Sequence, residues 1–120
     1  MPRLVFLLNL CCGTLLGQSS TPPDFATDIL PILSRNCFLC HGPDESTREA
    51  DLRLDLREIA VRPIDGGPGA IVPGKPKESL MVERILAPDI LDRMPPEDSG
   101  HTLTVQQIQA LQDWIADGAP

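Results

Sequence analysis

Residues 36 to 41 read Asn-Cys-Phe-Leu-Cys-His, which sets two thiols three residues apart with an imidazole directly after the second. Thiolate and imidazole are the side chains that bind transition metals and form covalent sulfur bonds, so this cluster admits three chemistries. Two thiols one helical turn apart can each add to one of the two vinyl groups on a porphyrin edge, forming thioethers. The adjacent imidazole is then carried beneath the ring, where it can bind iron. This is the Cys-x-x-Cys-His pattern of c-type haem attachment. A Cys37–Cys40 disulfide is the second chemistry, but it would close a very small loop and leave His41 idle. Zinc is the third and wants four ligands; the only soft set is Cys37, Cys40, His41 and His101, with Cys40 and His41 adjacent and awkward to share one tetrahedron.

Haem iron in electron-transfer cytochromes commonly takes a histidine and a methionine. Of the three methionines, Met1 belongs to the leader and Met81 lies among helix residues, which leaves Met94. Pro95 and Pro96 follow it, pushing its backbone out of the helical region and stiffening the loop that presents its thioether. Met94 is therefore the candidate distal ligand opposite His41. Its duller role would be core filling, at which methionine is adept. Trp114 reads as core and His101 as a surface loop residue.

Around this cluster the chain is short and acidic. Its 120 residues amount to one domain. The opening MPRLVFLLNLCCGTLLGQSS runs cation, apolar stretch, then small and polar residues, the order of a secretory signal peptide over residues 1–19. The apolar run is too short for a spanning helix, which needs about 20 residues. No membrane span is expected after cleavage. Cys11 and Cys12 raise lipid attachment as an alternative, although Leu8-Asn9-Leu10 fits poorly before a lipid-modified cysteine. The exported chain keeps only Cys37 and Cys40 as cysteines, in an extracytoplasmic or periplasmic compartment that permits a disulfide or haem attachment. Losing Arg3 leaves 9 basic against 17 acidic residues, a formal charge of -8. Nucleic acid and anionic membranes are unsuitable partners for such a surface, whereas a basic protein is suitable.

Residues 20–24 are a linker, and residues 25–119 the folded domain. Phe25, Ile29, Ile32 or Leu33, and Cys37 recur at helical spacing, with an interruption at Pro31. Leu52, Leu54 and Leu56 alternate with charged residues, as a short strand or an extended loop would. A three-turn helix is expected from Pro76 or Lys77 to Leu86. In the last helix, Thr104 and Gln107 form a capping box, Leu103 and Ile108 a hydrophobic staple, and Gly118 a stop. Its inward stripe is Ile108, Leu111, Trp114 and Ile115. The expected class is all-α, three to four helices with long loops rich in proline and glycine. With no tyrosine, 3 phenylalanines and 1 tryptophan, a core of this size is marginal. Loops of this length fit a compact domain only if something large sits at its centre.

Three stretches taken in order, "FATDILPILSRNCFLCHGPDESTREADLRLD", "GGPGAIVPGKPKESLMVERI" and "MPPEDSGHTLTVQQIQALQDWIADGA", resemble the planctomycete-type cytochrome c domain. The resemblance runs over roughly residues 25–119. It implies a class I cytochrome c-like fold around one covalent haem c, bound through Cys37, Cys40 and His41. Met94, in the Met-Pro-Pro element, takes the distal role. It further implies that Arg53 and the "AIVPG" turn lie near the haem. Such domains are usually the N-terminal part of longer proteins, so the electron partner is either a separate redox protein or fused domains.

The reading is therefore an exported monohaem electron carrier, not an enzyme, since His41 and Met94 together leave iron no open position. The alternatives are a haem sensor or peroxidase-like site with an open distal position, and a disulfide-stapled interaction module without haem.

Overall fold

A computed structural model describes residues 21–120. The expected signal peptide, and the choice between its cleavage and lipid attachment at Cys11 or Cys12, lie outside the described residues. Those residues form four α-helices joined by single helical turns and long loops, with no strand among them.

The chain enters through Asp24, whose Oδ1 accepts a hydrogen bond from the Thr27 N–H (2.9 Å) and caps a π-helical turn, Phe25–Ile29. This runs directly into α1, Leu30–Asn36, with Pro31 in its first turn. Proline is tolerated there because the first N–H groups of a helix have no internal partner, so the interruption expected at Pro31 takes the form of a change from π to α winding. Ile29, Ile32 and Leu33 make the buried face. A four-residue helix, α2 (Arg57–Ala60), follows the leucine-alternating stretch, which is loop and not strand.

The single helix expected to begin at Pro76 is divided. A 3-10 turn, Pro76–Glu78, precedes α3, Leu80–Ile85, and Ser79 between them is extended (φ -80°, ψ 124°). Ser79 is fully buried; its hydroxyl donates to the Lys75 carbonyl (3.0 Å) and accepts from the Val72 N–H (2.9 Å). A serine that bonds nearby backbone in this way competes with helical continuation, which is why the helix restarts after it. Met81, expected among helix residues, stands on α3 and is buried in the core.

The last helix, α4, spans Val105–Ala116 and carries both halves of the expected capping box: the Gln107 N–H donates to Thr104 Oγ1 (3.1 Å) and the Thr104 N–H to Gln107 Oε1 (2.9 Å). Gly118 beyond it has a φ of +102°. Leu111, Trp114 and Ile115 are buried, while Leu103 and Ile108 pack against the core from its edge.

The core lies where the N-terminal helical segment meets α4. Phe25 and Trp114 stack tilted there, with ring centroids 5.6 Å apart and planes at 32°, a geometry that aromatic quadrupoles favour. Backbone hydrogen bonds tie the loops to this core in place of a sheet. The Ile71 N–H donates to Ala60 O (2.9 Å), Met81 to Ala70 O (2.9 Å) and Gly74 to Ile115 O (2.7 Å). Arg57 reaches the far end of the chain, donating to Ala119 O (2.9 Å) and Gly118 O (3.2 Å).

Candidate functional site

The cysteine-histidine cluster is the turn that ends α1. Cys37 and Phe38 both donate their N–H groups to Leu33 O (2.8 and 3.0 Å), and the His41 N–H donates to Cys37 O (2.8 Å). That last bond has α-helical spacing, so Cys37 and Cys40 do stand one turn apart. Both are half-buried free thiols, with no bond between them. Burial, and secondarily the neighbouring Cys40, pushes the Cys37 thiol up to about 11, so it is a neutral thiol at physiological pH.

The polar stretch after His41 clamps this turn. Thr47 Oγ1 donates to Leu39 O (2.5 Å), the Glu49 N–H to Cys40 O (2.7 Å), and the Leu54 N–H to His41 O (2.8 Å). Arg48 donates to Gly42 O (3.0 Å) and Pro43 O (3.1 Å). With the Cys37 carbonyl already taken by His41, six carbonyls between residues 37 and 43 have partners. The sequence reads as polar after His41, with a short strand or extended loop at residues 52 to 56, and this role is not among its expectations. The run of small and charged side chains, "DESTREAD", was its only signal.

Gly42 is also part of the clamp. A Cβ there would lie 2.2 Å from Phe38 O, so the chain after His41 can fold back on the turn only as glycine.

His41 Nδ1 is buried and has no hydrogen-bond partner. Burial lowers the affinity of its imidazole for a proton, against the weaker pull of the Glu49 carbonyl and carboxylate, and favours the neutral, ligating form. An unpaired buried ring nitrogen beside two free thiols is the donor set that c-type haem requires, so the residues present fit that group. No group of three or more His, Cys, Asp or Glu side chains among the described residues is placed to hold a metal ion.

The structure sets Met94 elsewhere, in a loop whose Met94 N–H donates to Arg84 O (3.0 Å) at the end of α3. The Met94–Pro95 peptide bond is cis. Met94 stands in the wall of a cavity of about 510 Å³, with the apolar side chains of Ile85, Leu103 and Ile108. His101 shares that wall and is half-buried, not a freely exposed surface residue. Cys37, Cys40 and His41 do not line this cavity. The Arg53 guanidinium grips Asp55 with two bonds, 3.2 and 2.7 Å, and draws the Asp55 carboxyl below its usual range.

With this geometry in place, the comparisons with known proteins give one answer. The family model described as planctomycete cytochrome C matches residues 37–98, just over half of the chain, from the first cysteine past Met94. The chain belongs to that family, for which covalently bound haem c is the implied cofactor. Comparison with the curated proteins and with the solved structures returned no match. No helix among the described residues is long and apolar enough to cross a membrane.

Proposed function

We propose that this chain is an exported monohaem c-type cytochrome domain that passes single electrons, with His41 and Met94 as the axial ligands. The observation that carries the reading is the turn at the end of α1, where two free thiols and a buried, unpartnered imidazole nitrogen stand together. Haem, when bound, supplies a one-electron iron couple at a potential that its ligands and surroundings set.

The protein supplies the rest. Cys37 and Cys40 anchor the porphyrin edge, and the carbonyl clamp from Thr47 to Leu54 holds their turn in one conformation. His41 provides the proximal nitrogen. Met94, which is exposed, offers a soft thioether in a wall that also holds Ile85, Leu103 and Ile108. Were His41 and Met94 both to hold the iron, no position would be left for bond chemistry on a substrate. The electron leaves to a redox protein or a fused domain, and a formal charge of -8 after loss of the leader favours a basic one.

The test is to export the protein from a host that matures c-type cytochromes, weigh it, and record oxidised and reduced optical spectra. One covalent haem and a methionine-to-iron charge-transfer band in the oxidised protein are expected. Carbon monoxide binding to the reduced protein at neutral pH would replace this reading with the open-site sensor or peroxidase-like one. A mass lower by two hydrogens, with no haem, would replace it with the disulfide-stapled module.

A further inference from the structure

Asp65–Gly66 and Asp117–Gly118 are the Asp-Gly pairs of the chain, and Asp98–Ser99 its Asp-Ser pair. In such pairs little shields the backbone nitrogen after the aspartate, and that nitrogen can attack the aspartate's own side-chain carboxyl to close a five-membered cyclic imide. The fold treats the three pairs differently. The Gly118 N–H donates to Ile115 O (2.9 Å) where α4 ends, and Gly118 O accepts from Arg57 (3.2 Å). The Ser99 N–H donates to Pro96 O (3.0 Å). The Gly66 N–H donates to no backbone oxygen among the described residues, and no ion pair among them involves Asp65.

Asp65 and Gly66 are both exposed, in a turn closed by one backbone bond, from the Gly67 N–H to Ile64 O (2.8 Å). Their φ angles are +50° and +76°, the left-handed pair that a tight turn asks of Asp-Gly. A residue with a Cβ is disfavoured in that region, so Asp65 is held against its backbone preference. A Cβ built on Gly66 would meet nothing within 4 Å, so the glycine stands in open space. Beyond the turn the loop is pinned: a Cβ on Gly69 would lie 2.7 Å from Arg62 O, Gly69 O accepts from the Leu80 N–H (3.2 Å), and the Ile71 N–H donates to Ala60 O (2.9 Å). A change of linkage at residue 65 therefore stays within the turn.

We propose that Asp65 is a self-modification site, at which the folded chain converts aspartate to isoaspartate. The Gly66 nitrogen forms a bond to Asp65 Cγ, and its proton leaves with the carboxyl hydroxyl as water. The imide then takes up one water. Addition at the side-chain carbonyl restores aspartate; addition at the main-chain carbonyl breaks the original peptide C–N bond and leaves the chain linked through the side chain, with a free α-carboxylate. Water is the one co-reactant, and the mass of the protein is unchanged. The inference is independent of the haem reading, because no residue of the cysteine-histidine turn takes part.

The experiment ages the exported full chain at mildly acidic pH and body temperature, treats it with an isoaspartyl methyltransferase and a labelled methyl donor, and locates the label by peptide mapping. Ageing in heavy-oxygen water is a second readout, since each passage through the imide brings in one oxygen from solvent. Label is expected to accumulate in the peptide holding residue 65, roughly fivefold or more above that holding residue 117, the ratio that one net hydrogen bond corresponds to. In denaturant the two Asp-Gly pairs are expected to react alike, because the fold and not the sequence separates them. Asp65→Glu, whose longer side chain would have to close a six-membered ring, is expected to lose the label at residue 65 and to melt with the wild type; should it fail to fold, oxygen uptake at residue 65 of the wild type decides. An unlabelled residue 65, equal label at residues 65 and 117 in the folded chain, or the same inequality in denaturant as in buffer would each overturn the proposal. A protein without haem that still labels at residue 65 would overturn the haem reading alone.

Discussion

Replacing Gly42 with alanine tests whether the turn that holds the cysteines depends on close backbone approach. The added Cβ would sit 2.2 Å from Phe38 O, 3.0 Å from Phe38 C and 3.1 Å from Phe38 Cα, where ordinary contact begins at 3.4 Å. Every obstructing atom is backbone, so no side chain can swing aside, and the strands of the turn must part by about 1.2 Å to restore contact. Overpacking of this kind costs about 1–3 kcal/mol. For a domain of this size each kcal/mol lowers the melting midpoint by about 4–8 °C, so a fall of roughly 4 to 24 °C is expected. The displacement falls between Cys37 and His41, so the yield of covalent haem should fall as well. Gly67→Ala is the control, because its Cβ would meet only Ile64 O at an ordinary 3.4 Å. Thermal melts followed by circular dichroism, with intact mass for haem, make the comparison. If Gly42→Ala melts with the wild type and carries the same haem, the close approach at the turn does not govern the site.

Three further changes probe the frame around the site. Ser79→Ala leaves the Val72 N–H and one of the Lys75 carbonyl's contacts unmet in a buried place, so a loss of about 1–3 kcal/mol is expected in denaturant unfolding, with the optical spectrum of the haem protein unchanged. Thr104→Ala removes one half of the capping box on α4 and should cost about 1 kcal/mol, measured the same way, with Thr104→Ser restoring most of it. The carboxyls of Asp55, Asp24 and Asp44 lie below their usual range, Asp55 through Arg53, Asp24 through Thr27 and Asp44 through Ser46. A carboxyl depressed in the folded state contributes stability that is complete above its unfolded pKa, about 4, and is lost as pH falls through the folded value. Melting midpoints should therefore decline below about pH 4, and Asp55→Asn should lower the neutral-pH midpoint while flattening that decline. An unchanged pH profile in Asp55→Asn would show that the Arg53 pair does not contribute.

What was legible in the sequence is what depends on neighbours along the chain. Helix α4 could be read from Thr104 to Gly118, cap and stop included, because capping and inward periodicity are local properties of successive residues. The one-turn separation of Cys37 and Cys40 was legible for the same reason, and so was the place of Met81 on a helix, whereas the alternation of residues 52 to 56 left strand and extended loop open. Ser79 showed the boundary of this local logic: its identity was plain, but its hydroxyl breaks the helix only because Val72 N–H and Lys75 O are brought to it across a loop.

The site itself was divided between the two levels. The donors Cys37, Cys40 and His41 were named by spacing. Tertiary structure alone decided that residues 47 to 54 fold back to take up the carbonyls of their turn, and that Gly42 must leave room for this. It also decided that Arg53 pairs with Asp55, and that the half-buried His101 shares a cavity wall with Met94. Donor chemistry is carried by residue type and short spacing, whereas burial, clamping and the sharing of a cavity wall arise from chain segments that meet only when the domain folds.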